Sequence, residues 1–65
     1  MISIIDLEIV STVTGKDSKN IGKLVSGVLD HKNNKQYAYV GDRHIRIYPM
    51  DDIFYKCKNY IYVEV

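Results

Sequence analysis

One stretch restricts the fold more than any other: Gln36-Tyr37-Ala38-Tyr39-Val40, then Gly41-Asp42, then Arg43-His44-Ile45-Arg46-Ile47-Tyr48. Two alternating runs rich in Tyr, Ile and Val flank a two-residue Gly-Asp loop, the signature of a β-hairpin closed by a primed turn. The loop length sets the register. Val40 must face Arg43, Tyr39 must face His44, Ala38 must face Ile45, and Tyr37 must face Arg46. Side chains alternate between the two faces of a strand. Ala38, Val40, Ile45 and Ile47 therefore share a core face, while Tyr37, Tyr39, His44, Arg46 and Tyr48 share the opposite one. An isolated hairpin is marginal in water, so the rest of the chain must cover the apolar face.

The chain has 65 residues, well below the roughly 100–200 of an average domain, so residues 1–65 are read as one small domain. Hydrophobic residues make up 46% and charged residues 26%, an ordinary globular balance. The apolar runs are too short to span a membrane. The N-terminal segment carries Asp6 and Glu8 where a secretory signal carries bases, and the expected location is the cytoplasm. The single cysteine, Cys57, cannot form an internal disulfide. A core this small is worth about 3–5 kcal/mol, which makes a homodimer an expectation.

Around the hairpin, the remaining segments also read mainly as strands. Ile5, Leu7, Ile9 and Val13 are placed on one face of a strand over residues 2–13, with Asp6, Glu8 and Thr12 opposite. Thr14 to Ser18 is a turn. Residues 18–31 admit two readings. Ile21, Leu24, Val25, Val28 and Leu29 fit helical spacing with Ser18 as N-cap, which would make the fold β-α-β-β-β. Gly22 and Gly27 oppose a helix and favour a bent strand over residues 21–30, with Gly27 at the bend and His31 to Asn34 as a loop. Pro49 ends the second hairpin strand. Residues 49–53 are expected to form one 3₁₀ turn whose Ile53, or the following Phe54, plugs the core. Residues 60–65 close the chain as a strand with Ile61, Val63 and Val65 inward. The expected fold is mainly β, a small SH3-like barrel of about five strands.

Several segments carry a family resemblance: Ile21-Gly22-Lys23-Leu24, Val28-Leu29-Asp30, Tyr37-Ala38-Tyr39-Val40, Pro49-Met50-Asp51-Asp52-Ile53 and Tyr60-Ile61-Tyr62-Val63. In that order the chain resembles PRC-barrel domains over residues 14–64. It departs from their pattern in the short spacing before Ile21 and in Tyr48 between Ile47 and Pro49. KOW and Tudor barrels share a similar ending. The first resemblance implies an adaptor or partner-binding module. The second implies binding to RNA, ribosomes or modified tails.

Candidate chemistry is sparse. Asp51-Asp52 are adjacent carboxylates in a turn after proline, a common turn composition. His31 and His44 lack zinc-site spacing, so no metal is expected. Cys57 lies between Lys56 and Lys58, a setting that can activate a thiol, but it has no histidine near it in sequence and reads as a small turn residue. Gly15-Lys16 and Gly22-Lys23 do not make a phosphate loop. No catalytic residue and no cofactor are assigned.

The net charge is +1, and residues 16–46 hold seven bases against Asp17, Asp30 and Asp42. The Tyr37, Tyr39, His44, Arg46, Tyr48 face is the one candidate binding site. Tyrosine and arginine are enriched at protein interface hot spots, and aromatics among bases also suit single-stranded nucleic acid. Cross-strand Tyr-Arg and Tyr-His pairs also stabilise a hairpin with no ligand at all. The expected function is a non-enzymatic protein-binding module, such as a small phage or mobile-element protein that binds a host protein, or a bacterial adaptor. An RNA- or DNA-binding barrel is the alternative.

Overall fold

A computed structural model describes residues 1–16 and 18–65. Six strands follow in order: β1 (Ile2–Thr12), β2 (Leu24–Asp30), β3 (Lys35–Val40), β4 (Arg43–Pro49), β5 (Phe54–Lys56) and β6 (Tyr60–Glu64). Each pairs antiparallel with the next, and β6 returns to β1, closing a barrel. The helical alternative for residues 18–31 is excluded. Only Ser18–Asn20 form a single 3₁₀ turn, η1. Gly22 has a φ of 94°, a left-handed value that ends any helix there and suits glycine.

The hairpin has the register that its loop dictates: Val40↔Arg43, Tyr39↔His44, Ala38↔Ile45 and Tyr37↔Arg46. Gly41 has a φ of 63° and Asp42 a negative one, the pattern of a type II′ turn. Ala38 and Ile47 are fully buried, and Ile45 packs against them. Gly27 of β2 lies opposite both Ala38 and Ile5. A Cβ there would come within 2.7 Å of Leu7 Cδ1 and 2.9 Å of Ile5 Cγ1. The glycine therefore lets the side chains of β1 lie directly on β2.

Four sequence expectations need correction. The small barrel of about five strands is not among them: six strands form among the described residues, the sixth being the three-residue β5, which pairs with both neighbours. The 3₁₀ turn is at residues 18–20, not 49–53. The latter segment is a bend held by Met50 N–H to Phe54 O (2.8 Å) and Glu64 N–H to Ile53 O (2.9 Å). Ile53 is 49% exposed and does not plug the core, and Phe54 shares the outward phase of Val63.

Val13 is also outside the core, at 54% exposure. Ile9 pairs with Tyr62 but Ser11 pairs with the adjacent Ile61. Val10 is thus a bulge residue, and the bulge shifts every later side chain to the other face. The last correction is the phase of β6. Tyr60 and Tyr62 point inward and Ile61 and Val63 outward, while Val65 is exposed.

The core joins Leu7, Ile9, Ala38 and Ile47 to Tyr55, Cys57, Tyr60 and Tyr62. A buried tyrosine needs a partner for its hydroxyl, and this end of the barrel supplies them. The Tyr62 hydroxyl lies 3.6 Å from Cys57 Sγ. The Tyr60 hydroxyl accepts a 2.7 Å hydrogen bond from Asn20 Nδ2, which ties η1 to β6.

Candidate interaction surface

The five sequence-selected residues come together on the outer face of β3 and β4. His44 lies between two tyrosines, with ring centroids 5.6 Å from Tyr37 and 5.9 Å from Tyr39, both edge-to-face. The Arg46 guanidinium carbon lies 4.9 Å from the Tyr48 ring centre and 6.0 Å from that of Tyr37. Both distances are within cation–π range. Strand alternation puts these side chains on one face, and the Gly41-Asp42 loop puts each opposite its partner. Tyr39 and Tyr48 remain exposed, while Tyr37 and Arg46 are half-buried. Arg46 Nε is shielded from solvent and has no hydrogen-bond partner. A polar nitrogen in that state carries an unmet demand for an acceptor.

The face extends beyond the hairpin. Register pairing continues each row across two more strands. Arg46 faces Tyr37, Tyr37 faces Val28, and Val28 faces Ile4. This outward row runs from a guanidinium through an aromatic ring to two aliphatic side chains, ending at Ile4, which is 75% exposed. A parallel row is His44, Tyr39, Ser26 and Asp6, and a third pairs Lys35 with Asp30 and Ile2. The sequence reading missed Ile2, Ile4 and Val28 as members of this surface. The signal was present: Ile2 and Ile4 fall in phase with the outward Asp6 and Glu8.

Charge on the face is mixed. Arg46, His44 and Lys35 are accompanied by Asp6, Asp30 and Glu8. The Asp30 carboxyl is held below its ordinary range, chiefly by the hydrogen bond from Asn33 Nδ2 at 2.8 Å and also by the Asn33 N–H at 3.3 Å. Lys16, Lys19, Lys23 and Lys32 are exposed in the connecting segments rather than on these rows.

The remaining candidates have ordinary surroundings. Cys57 is buried, and its sulfur accepts from the Tyr60 N–H at 3.4 Å. His31 Nε2 shares a 2.8 Å hydrogen bond with Ser3 Oγ. The Asp52 N–H donates to the carboxylate of Asp51, which fits a local turn. Among the described residues no three His, Cys, Asp or Glu side chains are grouped to hold a metal ion, no pocket is formed, and no helix is long and apolar enough to cross a membrane. No family model matches the chain, and neither a curated protein nor a solved structure does.

Proposed function

We propose that this chain is a non-enzymatic module that binds a protein partner through the outer face of β1 to β4. The observation that carries the reading is the row Arg46–Tyr37–Val28–Ile4. It offers aliphatic and aromatic area beside a desolvated guanidinium nitrogen with no acceptor. Burying such a row gains about 25 cal/mol per Å² of apolar surface. A carbonyl or carboxylate of the partner would pair with the half-buried Arg46 guanidinium. Tyrosines held by edge contacts and an arginine held over two rings lose little side-chain freedom on binding, which favours affinity.

A nucleic-acid partner is the weaker reading. Asp6, Glu8 and Asp30 share the outward phase with the bases, and a carboxylate beside each row repels a phosphate backbone.

The test is affinity capture from nuclease-treated and untreated bacterial lysate. The baits are the wild type and a folded Tyr39→Ala, Arg46→Ala double variant. A protein that the wild type retains after nuclease treatment, and that the double variant loses at least tenfold, supports the proposal. Equal recovery by both baits removes this face from consideration. Binding that disappears with nuclease, and that falls steeply with salt, would establish the nucleic-acid reading instead.

A further inference from the structure

The barrel closes through the later part of β1 and leaves the start of that strand unpaired on one side. This strand is 11 residues long. It pairs with β2 from Ile2 to Glu8 but with β6 only from Leu7 onward. In an antiparallel strand the N–H and C=O of one residue point to the same edge, and successive residues alternate edges. The hydrogen bonds give the phase. Met1 O accepts from the His31 N–H at 3.0 Å, and the Ile9 N–H donates to Lys23 O at 3.0 Å, so odd-numbered residues face the β2 side. Asp6 O accepts from the Val65 N–H at 3.0 Å, so even-numbered residues face the β6 side. Among the described residues no strand lies beyond Ile2 and Ile4 on that side. Their two N–H and two C=O groups form an open edge.

We propose that this edge pairs with the same edge of a second copy of the chain, antiparallel about a two-fold axis through Ser3. The sequence supports a second copy as the occupant, because Ile2-Ser3-Ile4 reads identically in both directions. The axis places Ile2 of one copy opposite Ile4 of the other, twice. Each is a hydrogen-bonded pair that exchanges two N–H···O bonds. The four open groups on each copy are all satisfied, and no other register does so.

The side chains agree with the backbone. Ile2 and Ile4, 64% and 75% exposed, lie on the same outer face. The pairing gathers four isoleucines into one cluster. The residue on the axis, Ser3, is neutral, so no like charges are brought opposite each other. The open end of β1, Ile2 to Ile4, has exposed apolar side chains and no charged side chain among its three residues, so it lacks the usual protection against such pairing. In the resulting isologous dimer, the outer faces of the two sheets become continuous.

The experiment is sedimentation equilibrium from micromolar to millimolar protein, joined to isotope-filtered NMR on mixed labelled and unlabelled chains. The mass should rise from 7.5 kDa toward twice that value. An intermolecular Hα–Hα contact should appear between the two Ser3 residues, the non-hydrogen-bonded pair on the axis. Ile4→Lys should weaken dimerisation at least tenfold while the circular dichroism spectrum stays unchanged. Ile4→Pro, which removes an outward N–H that the barrel does not use, should do the same. A monomer at every concentration, a dimer that survives a folded Ile4→Lys, or an intermolecular contact elsewhere would overturn the proposal. The measurements involve no other partner, so their outcome is independent of the outer-face reading.

Discussion

Tyrosine alternates with aliphatic residues both in the β3–β4 hairpin and in β6, yet the two regions turn opposite members of that alternation inward. In the hairpin, Tyr37, Tyr39 and Tyr48 lie on the outer face and Ala38 and Ile47 are buried. In β6, Tyr60 and Tyr62 are buried, and Ile61 and Val63 lie in the outward phase. The difference lies in what surrounds the rings. Hairpin tyrosines alternate in phase with Arg46 and His44, whose charge and polarity favour the solvent side. No charge marks a side among residues 60–63. There the choice falls to pairing with Ile9 and Tyr55 and to the hydroxyl partners Asn20 and Cys57. Tyrosine is a large apolar surface with one polar atom, and the position of that atom's partner decides its face.

The largest expected effect tests this contrast directly. Tyr62→Ala should destabilise the barrel by about 3–5 kcal/mol, the cost of truncating a fully buried ring. That is most of what so small a domain has. Ile61→Ala, one residue away in the outward phase, should cost about 1 kcal/mol. Urea unfolding followed by tyrosine fluorescence gives both values. A larger loss at Ile61 would restore the opposite phase for β6 and remove the comparison.

How far each region can be read in the sequence follows the same rule. The hairpin register is legible because Gly41-Asp42 allows one loop geometry and Arg46 marks the wet side. Ile5, Leu7 and Ile9 are legible as core because Asp6 and Glu8 alternate with them. Beyond Ile9 the charges stop, and nothing in Val10-Ser11-Thr12-Val13 announces a bulge. The exposure of Val13 follows from a pairing made with residues some fifty positions later. The site divides in the same way. Its hairpin half is visible in one local motif. Ile4 and Val28 join it only through the register Ile4↔Val28↔Tyr37.

A smaller effect is expected where the two regions meet through β1 and β2. Gly27→Ala places a methyl group against Leu7 Cδ1 and Ile5 Cγ1, inside a packed core. The expected cost is about 1–3 kcal/mol, typical of overpacking. Pairing Gly27→Ala with Leu7→Ala in a double-mutant cycle sharpens the result. If the contact with Leu7 is the cause, the second substitution removes that part of the clash, leaving Ile5 Cγ1, and the two effects are not additive. Additive effects would place the role of Gly27 in strand conformation and not in its contact with Leu7.

The smallest effect separates the buried tyrosines from everything else by pH. Burial pushes the Tyr62 phenol well above its ordinary range, and its contact with Cys57 adds to the shift. Burial also raises Tyr55, with the nearby Glu64 carboxylate as a second cause. The neutral phenol is the form that the fold accepts. An unfolded tyrosine releases its proton near pH 10, so the stabilisation is fully present below about pH 10. Above it the unfolded chain ionises first and stability declines, by at most about 1.4 kcal/mol per pH unit for each such tyrosine. The loss ends only when the folded phenol itself ionises. Urea midpoints measured from neutral to strongly alkaline pH should therefore be level and then fall. Tyr62→Phe keeps the ring in the core and removes the titrating group, so its alkaline decline should be shallower than that of the wild type. An identical decline in both proteins would mean that another group drives alkaline unfolding. The inward placement of Tyr62 would then rest on the truncation experiment alone.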